Sequence, residues 1–327
     1  MGRMAKTSGL AISGLLTGAL VWGLIWYPYR ILEEAGVSGA PATLATYAVA
    51  LIAAVTLFHR DLHRLRRIEP ILAAIALTAG WTNLAYVLGM IHGQVMQVLL
   101  LFYLAPLWTL LIARVLLGER AGAVGALLVL LSLAGAAIML WEQTGWHLPI
   151  PHSVAEWLGL SSGVTFALSN VLIRKAHQVD IRVKSVAVFG GVALVAMAVV
   201  PMDGASFAEP IRVGLPAIAL LVLLGLVIFA TNLAVQHGLT GVGANQAIVL
   251  LLSELVVAAV SSYFLAGEAM RWNQWVGGAM IVTASLLSGR LAAREAPSGT
   301  QTLQSMPRDP LSEVAASPPG DAPRPRS

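Results

Sequence analysis

Apolar runs long enough to cross a bilayer recur almost without pause between residues 7 and 292. A helix needs about twenty such residues to span the hydrocarbon core. The runs are centred near Ala19, Val49, Gly80, Ala105, Leu131, Thr165, Ala193, Gly225, Glu254 and Ile281, which predicts an all-α polytopic membrane protein of ten transmembrane helices. Composition points the same way: 57% of the chain is hydrophobic and 11% is charged, against roughly 25% charged in soluble proteins. With a mean hydropathy of +0.79, there are too few ionisable side chains to coat a globule in water. A soluble enzyme is excluded. The first run, Ser8 to Tyr29 behind Arg3 and Lys6, is spanning length and is followed by further spans, so it reads as a helix rather than a cleaved leader.

The formal charge of +4 and the pI near 9.7 do not point to nucleic acid, because the bases sit in short clusters beside the apolar runs. Lys and Arg accumulate on the cytoplasmic side of membrane proteins. With the N-terminus cytoplasmic, that side carries seventeen of them and the opposite side only Arg30, Arg212 and Arg271. The asymmetry agrees with an even number of spans and places both termini in the cytoplasm of a bacterial-type inner membrane. Residues 293–327 hold seven prolines and almost no aromatics, the signature of a disordered tail.

Shifting the sequence by 149 positions superposes Asn83-Leu84-Ala85 on Asn232-Leu233-Ala234, Gly89 on Gly238, Gln97 on Gln246, and Gly118-Glu119 on Gly267-Glu268. A shift of 145 superposes Gly14-x-x-x-Gly18 on Gly159-x-x-x-Gly163 and Arg30 on Lys175. Apolar matches come cheaply here, so the Asn, Gln, Glu and Gly pairs carry the weight. The chain reads as a duplicated five-helix unit, residues 1–145 and 146–292. Five is odd, so the second copy enters the membrane from the other side. Inverted repeats can exchange shapes, which is the logic of alternating-access carriers with a midplane site between the repeats.

Two five-helix units, each closing its fourth helix with Gly-Glu, resemble the drug/metabolite transporter superfamily. Leu20-Val21-Trp22-Gly23, the stretch from Tyr103-Leu104-Ala105-Pro106 to Gly118-Glu119-Arg120, and Asn170 to Lys175 are similar to its EamA branch. The resemblance covers nearly all of the chain to residue 292 and implies a carrier similar to bacterial exporters of aromatic and other neutral amino acids. One departure is Ser253-Glu254-Leu255, where family members often carry a proline.

Polar groups at membrane depth are costly and usually face protein or a watery cavity. Helical spacing aligns Gly18, Trp22, Trp26 and Tyr29 on the first helix, Asn83, Tyr86 and Met90 on the third, Ser162, Phe166 and Asn170 on the sixth, Phe229, Asn232 and Gln236 on the eighth, and Gln246, Leu250 and Ser253 on the ninth. Tyr103 lies near the middle of the fourth. The second, fifth, seventh and tenth helices read as aliphatic. The expected substrate-binding side chains are therefore Trp22, Asn83, Tyr86, Tyr103, Phe166, Asn170, Asn232 and Gln246, suited to a solute with an apolar body and neutral hydrogen-bonding groups, such as an amino acid. Asn83 and Asn232 can equally serve as interhelical hydrogen bonds of about 0.6 kcal/mol each. Pro106 is the expected hinge, since proline breaks the helical ladder.

Glu254 is the only carboxylate near the middle of a span. Left ionised and alone it would cost about 2.5 to 3.5 kcal/mol, so it is expected to be neutral, paired or wet: a coupling site for protons or a substrate ammonium, or a hydrogen-bonded structural residue. No Lys or Arg falls at the midplane, which disfavours phosphates and nucleotide-sugars. The absence of cysteine removes disulfides, thiolate metal sites and iron–sulfur clusters. The histidines lie at loops and helix ends without metal-binding spacing, so no metal or other cofactor is expected. The partners expected are a small-molecule substrate and the lipid bilayer, with no nucleic acid, and the chain is expected to act as a monomer. Exchange of lipophilic cations, or a receptor or scaffold without transport, are the competing readings.

Overall fold

Helices make up every regular element among the described residues. The computed structural model describes residues 2–60, 70–118, 123–141, 150–176, 178–241 and 244–295. The basic loop around Arg64, Arg66 and Arg67, the corner at Glu119-Arg120 and the Pro-rich tail lie outside the described residues, as do the side chains of Pro106 and Gln246.

The elements are α1 (Gly2–Leu24), α2 (Trp26–Glu34), α3 (Gly39–Phe58), α4 (Pro70–His92), α5 (Val95–Phe102), α6 (Ala105–Leu116), α7 (Ala123–Trp141), α8 (Val154–Lys175), α9 (Ile181–Val199), the single turn α10 (Glu209–Val213), α11 (Leu215–Gly241), α12 (Ala244–Ala266) and α13 (Trp272–Glu295). Two of the expected spans are broken in the middle. The first divides into α1 and α2 at Ile25, and the fourth divides into α5 and α6 at Tyr103-Leu104. Six spans are long and apolar enough to cross a bilayer among the described residues: Leu10–Glu34, Gly39–Phe58, Pro70–His92, Val95–Leu116, Ile181–Val199 and Leu215–Gly238.

Local chemistry explains where several helices start and stop. Ser153 caps α8 by accepting from the Glu156 amide at 3.1 Å, and Glu156 returns the favour by accepting from the His152 amide at 2.9 Å. The first bond satisfies an orphan amide at the helix start, and the second ties the residue before the cap to the first turn. Asp180 caps α9 through the Arg182 amide at 2.9 Å. Gly118 and Gly267 follow the ends of α6 and α12 with φ of +70° and +66°, a left-handed conformation that glycine adopts without a Cβ penalty.

The helices interlock in a pattern that repeats itself. α1 packs on α11 and α12, as α8 packs on α4, α5 and α6. α11 packs on α3, as α4 packs on α9, and α3 and α9 meet each other. Small residues set these crossings. A Cβ on Gly80 would lie 2.6 Å from the Gly191 carbonyl oxygen, and one on Gly225 would lie 2.5 Å from that of Thr46. Three of the four glycines in the Gly-x-x-x-Gly pairs act likewise. Cβ atoms there would lie 2.5 Å from the Ala234 oxygen at Gly14, 2.9 Å from the Val98 oxygen at Gly159 and 2.7 Å from the Phe102 oxygen at Gly163. Close backbone approach through small residues is how membrane helices gain packing without a hydrophobic driving force between them. α5 also begins where α12 ends, since the Val95 amide donates to Glu268 Oε2 at 2.7 Å.

Candidate functional site

The break in the fourth span brings the candidate site together. A proline has no amide hydrogen and so deprives the carbonyl four residues earlier of its donor, here that of Phe102. The chain passes the gap through tighter bonds, from the Leu104 amide to the Leu101 oxygen at 3.3 Å and from the Leu107 amide to the Leu104 oxygen at 3.0 Å. The helix is therefore interrupted one turn before Pro106, which itself sits in the first turn of α6.

From this gap Tyr103 donates its phenol hydrogen to Glu254 Oε2 at 3.0 Å, and Tyr86 of α4 donates to Glu254 Oε1 at 3.3 Å. Glu254 itself is 7% exposed. α12 runs through this position without a break, where the 149-residue shift places the counterpart of Ala105. Tyr86, Tyr103 and Glu254, singled out separately in the sequence, are thus one cluster, and it joins α4 and the α5–α6 gap to α12.

A row of rings leads away from the carboxylate. Phe102 lies edge-on to Tyr86 at 5.2 Å between centroids and to Tyr103 at 5.7 Å, and it meets Phe166 of α8 at 5.1 Å. Phe166 is 40% exposed, so the row runs from an open ring to a buried acid. Phe102 did not stand out from helical spacing, because it is the last residue before the gap and its direction depends on the break.

The other candidates fall in separate settings. Asn83 accepts from the Tyr47 phenol at 2.6 Å and donates to the Ala79 oxygen at 2.8 Å. Asn232 accepts from Gln236, whose amide also donates to Ser185. The two asparagines therefore find different partners despite their alignment. Trp22 packs, half-buried, against Leu15 and Val235. Asn170 is half-buried on α8, and the Gln246 side chain lies outside the described residues. Gln97 is 4% exposed and its Nε2 has no hydrogen-bond partner among the described residues. The second and seventh helices are not simply aliphatic: Tyr47 of α3, Phe189 of α9 and Phe229 of α11 form a ring cluster with centroids 6.3 Å apart. Trp26, also on the aligned face of the first span, is buried and donates to Ser261 of α12 at 3.1 Å.

The end of the bundle that carries Arg30 is held by an ion pair. Arg30 Nη2 lies 2.9 Å from Glu268 Oε1, with the two side chains 20% and 17% exposed. Arg30 also donates to the Met90 and Gly93 oxygens and lies 4.9 Å over the Trp26 ring, a cation–π distance. Arg30 is thus engaged with protein. Glu268 also serves the start of α5. A cleft of about 350 Å³ opens beside the pair, lined by Arg30, Glu33, Glu34, Ile91, His92 and Gly93. Nearby, Glu209 accepts from the Ser38 amide at 2.8 Å and the Ser206 amide at 2.7 Å. Burial pushes its carboxyl up, but these donors and Arg212 outweigh it and hold the group below the ordinary range. Among the described residues no group of three or more His, Asp or Glu is placed to hold a metal.

The model of the EamA-like transporter family matches residues 9–141 and again residues 153–290. The chain belongs to the EamA-like transporter family. It is therefore a multi-pass membrane protein of a transporter family, with lipid around it and a small molecule as its substrate. A solved chain described only as "Crystal structure of protein" is similar to this EamA-like chain at 17% identity, over 88% of this chain and 99% of its own, with a TM-score of 0.55. That likeness is one of fold. A search of curated proteins found no match.

Proposed function

We propose that this EamA-like protein exports neutral amino acids with aromatic or bulky apolar bodies, and related metabolites, by alternating access. In this reading residues 1–145 and 146–292 are inverted halves. α7, α8, α12 and α13 cross the membrane beside the six spans above, making ten helices, with both termini in the cytoplasm of a bacterial inner membrane. One monomer is the working unit. The solute occupies the space between the halves, lined by Trp22, Asn83, Tyr86, Tyr103, Phe166, Asn170, Asn232 and Gln246.

The observation that carries the reading is the meeting of Tyr86 and Tyr103 with Glu254. Side chains from the two family matches converge there on a polar cluster walled by rings, and carriers built from repeats bind their solutes between the repeats. The antiparallel meeting of α5 and α12 at Val95 and Glu268 supports inversion. The direction of net flux rests on the resemblance to exporters.

Counterflow in sealed vesicles tests it. Purified protein should exchange labelled tryptophan, with competition from other bulky neutral amino acids and none from nucleotides. A buried carboxylate among rings also favours lipophilic cations as a second reading. Competition by such cations alone would replace the amino-acid assignment.

A further inference from the structure

We infer that the Glu254 carboxyl, held between Tyr86 and Tyr103, is a single-charge site that takes either a proton or the ammonium group of a substrate, so that transport exchanges one for the other. The inference rests on the carrier reading and adds the coupling ion and the recognised group.

Geometry supplies the argument. Each carboxylate oxygen accepts one phenol hydrogen, which leaves lone pairs on both oxygens for further donors. No Lys, Arg, His or second carboxyl faces Glu254 among the described residues. From α4 it meets Tyr86, from the α5–α6 gap Tyr103, and from α1 the backbone at Gly23, a Cβ on which would lie 2.9 Å from the Glu254 carbonyl oxygen. Among the described residues the negative charge thus has two neutral donors and no cation. A buried charge requires a partner or neutralisation, and two species available to a carrier can supply it: a proton from water, or a protonated amine.

Both fit the phenols, because a tyrosine hydroxyl donates or accepts. With an ammonium bound, both phenols donate to the carboxylate. With a proton bound, the carboxyl O–H donates to one phenol oxygen, which turns its own hydrogen away. Both occupants together would place an ammonium beside a neutral acid, with its charge uncompensated in a dry site. Binding of an ammonium to the protonated site therefore releases that proton to water, and release of the amine is completed when a proton returns. The row of Phe166, Phe102 and the two tyrosines suits an ammonium borne on an aromatic or bulky apolar body, since ring faces attract cations.

The exchange has a definite charge balance. A zwitterionic amino acid moving one way against a proton moving the other transfers one net charge, whereas an amine without a carboxylate exchanges without net charge. The substrate's ammonium is required and its carboxylate is not.

Three probes in weakly buffered solution test this: tryptophan, the corresponding amine lacking the carboxylate, and N-acetyltryptophan. Purified wild-type protein should release about one proton per molecule of tryptophan or amine bound and neither bind nor respond to the acetylated form. Glu254→Gln should lose the proton release. Glu254→Asp should retain it, and this guards against a variant that merely misfolds. Counterflow of tryptophan without proton release, exchange of N-acetyltryptophan at the tryptophan rate, or full proton release by Glu254→Gln would each overturn the inference and leave the carrier reading standing. Absence of wild-type counterflow with every amino acid and amine tried would overturn both.

Discussion

Replacing Glu268 with Gln should loosen the end of the bundle that carries Arg30 by an amount set by how far the ion pair is from water. Exposed pairs contribute about 0 to 1 kcal/mol, while removing one partner of a fully buried pair costs about 3 to 5 kcal/mol. With the side chains 20% and 17% exposed, and with Arg30 keeping the Met90 and Gly93 oxygens as acceptors, the loss should lie between these limits, near 2 kcal/mol. Gln retains an oxygen for the Val95 amide, so the substitution isolates the charge from the cap. Reversible unfolding of purified protein in mixed micelles should be measured for Glu268→Gln, Arg30→Gln and the double variant. Contacting residues show coupling energies of roughly 0.5 to 3 kcal/mol, and a value of at least 1 kcal/mol is expected here. Additive single effects would refute the idea that this pair holds the two halves together.

Gly163→Val should destabilise the protein by roughly 2 kcal/mol or more through overpacking, because its Cβ would lie 2.7 Å from the Phe102 oxygen; unfolding measurements that leave the variant at wild-type stability would contradict the crossing. Glu209 is held below its ordinary value of 4.5, so its stabilising contribution is fully present above that value and is lost as pH falls through the depressed one. Thermal unfolding of Glu209→Gln should accordingly fall less steeply than wild type on acidification below about pH 4.5. Trp22→Ala, Asn83→Ala and Asn232→Ala should each slow tryptophan counterflow while the protein remains folded, as judged by gel filtration. Wild-type rates in all three would remove them from the solute's path.

Six of the spans and the duplication were readable because they are periodic. Runs of apolar residues at bilayer length need no tertiary context, and the glycine at 118 and its counterpart at 267 end their helices in the same left-handed conformation. Glycines that marked the repeat also lie at close crossings, at Gly14, Gly159 and Gly163. What escaped was pairing between distant elements. Helical spacing reports which side chains share a face, yet says nothing of what that face meets. Thus Tyr47 was passed over on a helix read as aliphatic although it supplies the hydrogen bond to Asn83, and nothing in the spacing around Arg30 pointed to Glu268, 238 residues away, as the partner of its charge. Pro106 marked the break one turn late, since a missing amide is felt at the carbonyl four residues before it. Phe102, left at the lip of that break, became the centre of the ring row.

One position reachable from each side of the membrane in turn is the core of the account, and the natural absence of cysteine allows it to be measured. A single cysteine at Phe166, checked for retained counterflow, should react with a membrane-impermeant thiol reagent applied from either face, and tryptophan should slow both reactions. Adding Glu268→Gln should raise labelling from the outer face and lower it from the inner one. Reaction from one face only, unmoved by substrate or by loss of the Arg30–Glu268 pair, would contradict alternating access in this protein.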